Sequence, residues 1–361
     1  MAENAKSISE VTSLLQKSIT PLGRREEISL CSANGRICAE HIYSPLSLPT
    51  SNNAAVDGFA FHYEWSTSHP NYVYEIVAEI RAGHPYSGKL LPGQAVAIFT
   101  GAIVPEELNC IVMQENCILE EKKRVRIPFA PKKGLNIRMA GENLRKGEVI
   151  IKDGQRITAA DIGQLSAIGK SKIFCYSELS IGVLSTGDEV MDANNTEPLS
   201  KLRPGQLYDT NRPMLKAMVT KDNHFCSDYG IIIDDKTSLQ EGYEKALSEN
   251  NIVISTGGAS QGIEDHTQEV LASLGFEVVF WRIAMKPGRP MAVGKRNHQL
   301  VICLPGNPVA AFVCSKLLIK PLLIKQAGGV DLEPLAIKIP SGFEHKKRKG
   351  RAEYLRAKII S

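Results

Sequence analysis

The sequence predicts a multidomain protein of the α/β plus β class, and three observations carry that expectation. From Leu179 onward, apolar strand-like runs alternate with amphipathic helical runs, the order of a doubly wound sheet. Between about Leu48 and Pro131 the texture is different: short runs rich in β-formers, separated by Gly, Pro and Asn. The chain has 361 residues, too many for one core at roughly 150 residues per domain.

The elements follow in order. Ser7 and Glu10 form a capping box ahead of Ile8, Val11, Leu14 and Leu15, so a short amphipathic helix opens the chain. Two strand-like runs flank the Asn34-Gly35 turn. "YVYEIVAEI", "GQAVAIFTG", "NCIVMQEN" and "KRVRIPF" make a small all-β domain. Thr158 and Asp161 form a second capping box, a helix runs through Ile162 to Ile168, and Gly169 stops it. Then come strand "SIGVLSTG", helix "RPMLKAMVT", strand "YGIII", helix "SLQEGYEKALSE", strand "NIVIST" and helix "HTQEVLASLG". Strands "EVVFWRIAM" and "QLVICLPG", helix "PVAAFVCSKLL" and a strand-like tail from Leu332 complete the series. The expected domains are an α+β linker domain (1–47 with 138–178), an inserted all-β domain (48–137), an α/β domain (179–328) and a C-terminal stretch (329–361).

Composition narrows the function. Apolar residues make up 43% and charged residues 23%, as in a soluble globular protein. Net charge is +4 from 43 basic and 39 acidic residues, too balanced to imply nucleic acid. The one basic patch, "HKKRKGR" (345–351), lacks an aromatic platform and reads as a solvated turn. Eight scattered cysteines, with no C-x-x-C pair and no metal-ligand spacing, suit thiols in a reducing cytoplasm. The acidic N-terminus does not resemble an export signal, and no run approaches the roughly 20 apolar residues of a membrane span.

Three strand ends in the α/β region carry the chemistry: "STGDEV" (185–190), "STGGASQGIED" (255–265) and "CLPGNPV" (303–309). Their glycines let backbone N–H groups approach an anion, and their small hydroxyl residues add donors. Tight strand-to-helix packing also favours Gly-Gly, so each loop alone is a weak signal. Glu189 and Asp265 suit a Mg²⁺ ion bridged to phosphate, although Asp265 equally suits a helix cap. Arg282, Lys286 and Arg289 in "RIAMKPGRP" can neutralise phosphate or another oxyanion, although each taken singly better suits an exposed surface role. A P-loop, a dinucleotide fingerprint and a nucleophile elbow are all absent, so the chemistry should run by positioning and electrostatics.

"NAAVDGFA" (53–60), "IFTGA" (98–102), "NIRMAGEN" (136–143), "STGDEV", "YDTNRPML" (208–215), "TGGASQGIED", "MKPGRP" and "LPGNP" occur in the order of one family. In these residues the chain resembles the molybdopterin molybdenumtransferases, the MoeA and gephyrin E-domain family. The resemblance implies a MogA-like α/β domain that binds molybdopterin, a linker domain that dimerises, and a C-terminal β domain of which 329–361 is the incomplete start. It implies a cytoplasmic homodimer whose site lies where the α/β domain of one subunit faces the β domain of the other. The implied reaction inserts molybdate into adenylylated molybdopterin at its dithiolene, with Mg²⁺-dependent release of AMP.

By resemblance, Asp57, Thr100, Arg138 and Glu142 form one side of the site. Glu189 and Asp265 handle metal and water, with Asp234 and Asp235 as helpers. Gly257, Gly258 and Ser260 seat the nucleotide phosphate, Arg282, Lys286 and Arg289 bind phosphate and molybdate, and Pro305, Asn307 and Pro308 shape the oxyanion pocket. A molybdopterin adenylyltransferase and molybdenum apoenzymes stand open as further partners; no nucleic acid and no membrane are expected. Asn143 departs from the family, which commonly has an acid there. Two other readings stay open: a non-catalytic molybdopterin-binding scaffold, and a molybdopterin adenylyltransferase, which typically lacks the β insert.

Overall fold

The computed structural model describes residues 5–68, 73–121, 123–193, 202–222, 224–257, 263–330, 336–347 and 349–357. The chain divides into two compact units, Ile42–Ile150 and a second built from Met1–His41 with Ile151–Ser361.

The Ile42–Ile150 unit is organised by a six-stranded sheet in the order Cys110–Met113, Gly58–Phe61, Gln94–Ile98, Val73–Ile80, Arg124–Arg126, Ile118–Glu120. Its neighbours are antiparallel except Val73–Ile80 beside Gln94–Ile98. All four residues of Gly58–Phe61 are buried, because side chains alternate across a strand that is covered on both faces. Phe59 and Phe61 enter one apolar cluster with Tyr74, Val112 and Val125. Ala60 enters the other with Ile80, Val96, Ile98 and Ile111. Gly58 is required by sheet spacing: a Cβ there would lie 2.0 Å from the Val112 carbonyl oxygen. A short helix, Tyr63–Ser68, follows this strand and has no clear periodic signal in the sequence.

In the other unit both expected capping boxes form. Ser7 opens the helix Ile8–Ser18 with Glu10 reciprocating, and Thr158 opens Ala159–Ala167 with Asp161. Gly169 adopts φ +80° just beyond the second helix, as a left-handed stop. The Asn34-Gly35 region differs from expectation. Arg25–Ser29 pairs with the distant Lys172–Tyr176, and residues Leu30–Ser32 form a 3-10 turn. Ile37 and Cys38 beyond the turn make only isolated bridges.

The α/β sheet has the order Phe225–Ile232, Ser180–Thr186, Ile252–Thr256, Gln299–Leu304, Ala292–Arg296, Glu277–Trp281. The first four strands are parallel and the last two antiparallel, so the sheet is mixed. Both faces are covered. Val253, Val301 and Cys303 meet Leu239, Tyr243 and Leu271 on one side, and Ile254 and Ile302 meet Val11, Leu215 and Leu318 on the other.

Three details depart from the sequence reading. The run from Glu277 to Met285 is not one strand, because Arg282 takes φ +79° and divides Glu277–Trp281 from Met285–Lys286. Ala292–Arg296, whose Gly294 and Lys295 dilute its β signal, is an additional strand. Among the described residues after Leu332 only Ala352–Glu353 is a strand, paired with Met285–Lys286. There His345 lies 3.0 Å and Arg351 3.8 Å from Glu353, so the basic turn closes on its own carboxylate.

All eight cysteines are free, and burial pushes seven thiols up: Cys110, Cys175 and Cys314 to about 12, Cys117 and Cys226 to about 11, with Cys38 and Cys303 also raised. Among the described residues no helix is long and apolar enough to cross a membrane.

Replacing Gly58 by Ala forces a methyl group into the neighbouring strand's backbone and should destabilise the Ile42–Ile150 unit by at least about 3 kcal/mol. Urea unfolding followed by the fluorescence of Trp65 measures this; an unchanged midpoint would refute the packing account.

Candidate functional site

Strands Ser180–Thr186, Ile252–Thr256 and Gln299–Leu304 are adjacent and parallel, so the three glycine-bearing loops leave the same edge of one sheet. The chain passes from Ser180–Thr186 to Phe225–Ile232 on one side, then returns to Ile252–Thr256 on the other. That reversal is a topological switch point, where an open α/β sheet leaves a crevice for ligands. Gly257 takes φ +97°, and a Cβ there would lie 2.0 Å from the Thr186 carbonyl oxygen. No other residue lets these two strand ends approach so closely. Gly306 lies against the same turn, where a Cβ on it would be in ordinary contact, 3.6 Å from the Gly257 Cα.

The loops are tied together by residues just before and inside the helix Asn211–Lys221. The Asn211 amide donates to Thr256 Oγ1 and to the Gly306 carbonyl, both at 2.8 Å. Asp209 accepts from the Ser185 hydroxyl at 2.7 Å, from the Asn211 and Arg212 backbone N–H groups at 3.1 Å, and from Arg212 Nε at 2.9 Å. Arg212 also reaches Asp228 and Asp192. Burial alone would lower the guanidinium, but hydrogen bonds to Asp228, Asp209 and Asp192 outweigh it and hold it above its ordinary range. Asp228 is the mirror case. Burial favours its neutral form, while Lys216 and Arg212 hold it down at about 2.

Acids gather on the next loops. Asp188 and Glu189 are exposed after Ser180–Thr186, and the Asp234 N–H donates to Asp188 Oδ1 at 3.5 Å. Burial raises the Asp234 carboxyl and the charges of Asp188 and Glu189 raise it further, against a smaller pull from His266. Asp234 Oδ1 is buried without a hydrogen-bond partner. Asp235 instead caps the helix Lys236–Glu249, accepting from the Ser238 N–H at 3.0 Å and its hydroxyl at 2.6 Å. Of the two helpers, Asp234 is the one that meets the acidic group. No ready cluster of three or more His, Cys, Asp or Glu exists among the described residues. Mg²⁺ beside phosphate needs only one or two carboxylates, however, and the repelled, unpartnered Asp234 with Glu189 fits that requirement.

The remaining predicted residues divide. Asp265 lies in the helix Ile263–Ser273, but its side chain falls outside the described set. Gly258 and Ser260 lie outside the described residues altogether. Pro305 and Gly306 belong to the tied loops, with the Pro305 carbonyl accepting from Thr256 Oγ1 at 3.3 Å. Asn307 is occupied as a cap, accepting from the Val309 and Ala310 N–H groups at 3.0 and 3.2 Å, and Pro308 starts that helix. Lys286 and Arg289 are exposed on a loop closed by Arg282 N–H to Met291 carbonyl and Ile283 N–H to Arg289 carbonyl hydrogen bonds. Pro290 and Met291, at the end of this loop, line a cavity of about 10 Å³ together with Thr186, Ser255 and Gly257. The basic loop therefore reaches the strand ends.

A second constellation stands within the Ile42–Ile150 unit. Asp57 Oδ1 accepts from the Thr100 N–H at 2.8 Å and from its hydroxyl at 2.7 Å, and the two bonds, backbone first, lower its carboxyl. Ile137–Arg138 pairs with Asn53–Ala54, and Ala54 exchanges backbone bonds with Gly101 and Ala102. These pairings bring the segments bearing Asp57, Thr100 and Arg138 together. Glu142 accepts from the Met139 N–H at 2.9 Å, which fixes its own turn.

Sequence reasoning gave no role to Asp209, Asn211 or Arg212. Their signal was present as "YDTNRPML", where an acid precedes an Asn-Arg pair at a helix start.

Two family models match the chain: the MoeA N-terminal region (domains I and II) over residues 6–169, and a probable molybdopterin binding domain over 182–325. A molybdopterin molybdenumtransferase of Haemophilus influenzae is 35% identical over 332 residues, covering 92% of this chain and 80% of that protein. One from Nostoc is 34% identical over 338 residues, covering 91% and 76%. A crystal structure of the molybdopterin biosynthesis MoeA protein of Pyrococcus horikoshii superposes with TM-score 0.77 at 27% identity, covering 91% of this chain and 81% of that one.

Replacing Asn211 by Ala should cost about 2 kcal/mol, because two buried hydrogen-bonding groups lose their partner. Arg212→Met removes the guanidinium that Asp209, Asp192 and Asp228 share, leaving Lys216 on Asp228, and should cost about 3 kcal/mol at neutral pH. In the parent protein Asp228 has a folded value of about 2 against an ordinary 3.8. Its contribution is therefore complete above the ordinary value and is lost as pH falls toward the folded one. Urea midpoints measured at neutral pH and at about pH 2.5, inside the window between the two values, should show the Arg212→Met deficit narrowing in acid; a deficit independent of pH would refute the electrostatic account.

Proposed function

The chain belongs to the MoeA family of molybdopterin molybdenumtransferases, transferases of molybdenum cofactor biosynthesis, and on that premise we propose that it inserts molybdate into adenylylated molybdopterin with Mg²⁺-dependent release of AMP. The observation that carries the proposal is the switch-point crevice. Three backbone-lined loops, a group of repelling carboxylates and a basic loop meet at one sheet edge.

The N–H groups of the loop beginning at Gly257, with Gly258 and Ser260, seat the nucleotide phosphate. Arg282, Lys286 and Arg289 hold the second phosphate and molybdate, and the Pro305–Pro308 loop limits the oxyanion pocket. Glu189, Asp234 and Asp265 hold Mg²⁺, which when bound offsets the charge that develops on the phosphoanhydride. Asp57 stays ionised because Thr100 donates twice to it, and with Arg138 and Glu142 it completes the set of reacting residues. The four-part domain division, a homodimer and a cytoplasmic setting belong to the same proposal.

AMP released from adenylylated molybdopterin with Mg²⁺, with and without molybdate, tests the reading when followed by reconstitution of a molybdenum apoenzyme. Release should require molybdate and yield active apoenzyme. Asp57→Asn, Glu189→Gln and Asp234→Asn should each lower it on the order of 100-fold in folded protein. Tight binding with no release would instead favour a scaffold.

A further inference from the structure

At the opposite end of the α/β sheet, where its parallel strands begin, the residue before Phe225–Ile232 is a buried histidine. His224 is 9% exposed, and neither of its ring nitrogens has a hydrogen-bond partner. Arg156 faces the same cavity. Its Nη1 donates to the Gly35 carbonyl at 2.6 Å, but its Nη2 is buried without a partner. The pocket is lined by Arg36, Tyr176, Glu178, Asp222 and Ala327, among others, all in one compact unit.

The charges around this pocket are equal in number but unevenly paired. Arg36 pairs with Glu26 and lies 3.5 Å from Glu178, and it donates to the Tyr176 carbonyl at 2.9 Å. Asp222 is met by Lys320 at 2.9 Å. Among the described residues Arg156 alone of these three cations makes no ion pair. Burial pushes His224 down to about 4 against the pull of Asp222, and Arg156 and Arg36 push in the same direction as burial. A half-buried guanidinium with no ion pair and a buried, unused donor calls for an anion.

Size selects the class. The cavity measures about 10 Å³, room for one water-sized particle. Phosphate, sulfate, molybdate or a carboxylate would not fit. We propose that this cavity is a structural site for one monatomic anion, chloride in solution, held between Arg156 Nη2 and a ring N–H of His224. The ion links the Gly35–Ile37 segment, the Gln155–Ile157 segment and the first residue of the sheet, three pieces remote in sequence. It is independent of the molybdenum chemistry above.

Bromide is the probe. Crystals of the full chain soaked in sodium bromide should show an anomalous peak between Arg156 and His224. The thermal midpoint in sodium chloride or bromide should rise saturably by about 5 °C over sodium gluconate at equal ionic strength. Arg156→Met and His224→Phe should abolish that difference. No peak at this position, or bromide only elsewhere on the surface, overturns the site whether or not the variants fold. Equal midpoints in halide and gluconate overturn it as well, since a water molecule would then suffice.

Discussion

The Asn211 amide is the interaction on which the strand-end architecture depends. Three loops that approach one another as backbone have few side chains between them, the Thr256 hydroxyl on the Pro305 carbonyl being one, so most of the lock comes from outside them. Asn211 supplies it by donating to Thr256 on one loop and to Gly306 on another, while Asp209 anchors Ser185 in the strand leading to the third. Arg212 then fixes Asp209 by drawing it, with Asp192 and Asp228, around one guanidinium. A buried cluster of this kind adds little net stability over apolar packing, but it is costly to half-dismantle. It therefore favours one geometry over its neighbours, which is what a site working by positioning requires.

Legibility followed the range of the interaction. The capping boxes at Ser7 and Thr158 are complete within four residues, and both were readable from the sequence alone. The glycine loops were readable as unusual, since Gly257 at φ +97° serves a need that composition announces. The tie between Asn211 and Gly306 spans 95 residues and that between Arg212 and Asp228 spans 16, so nothing local marks either partner. Arg282 misled for a related reason. Its neighbours have the composition of a strand, while tertiary closure onto Met291 places it in the left-handed region. Asp234 and Asp235 were indistinguishable as adjacent acids, and only the position of Ser238 shows which of them is spent on a helix cap.

The two compact units solve the same problem by different means. In Ile42–Ile150 a glycine admits the carbonyl of the flanking edge strand, next to Asp57. In the α/β sheet a glycine admits a neighbouring strand's carbonyl at the sheet edge, next to the loop of Glu189. In each case the carboxylate stands on a segment whose backbone path is set by a close strand approach that no side chain could share. The chain's later part serves the same end, since Ala352–Glu353 adds a pairing partner to the strand that carries Lys286.

The thiols bear on the proposed reaction in another way. An ene-dithiol taking up an oxidised, sulfur-seeking metal competes with every thiolate in reach, and the thiolate, not the thiol, is the ligand. Seven of the protein's cysteines are kept protonated by burial, including Cys303 on the strand that leads to Pro305 and Cys314 against Gly288 beneath the basic loop. The fold thereby places sulfur close to the proposed oxyanion seats yet keeps it protonated. Apolar packing around these side chains acts as chemical selectivity, leaving the pterin's own sulfurs as the ones presented for coordination.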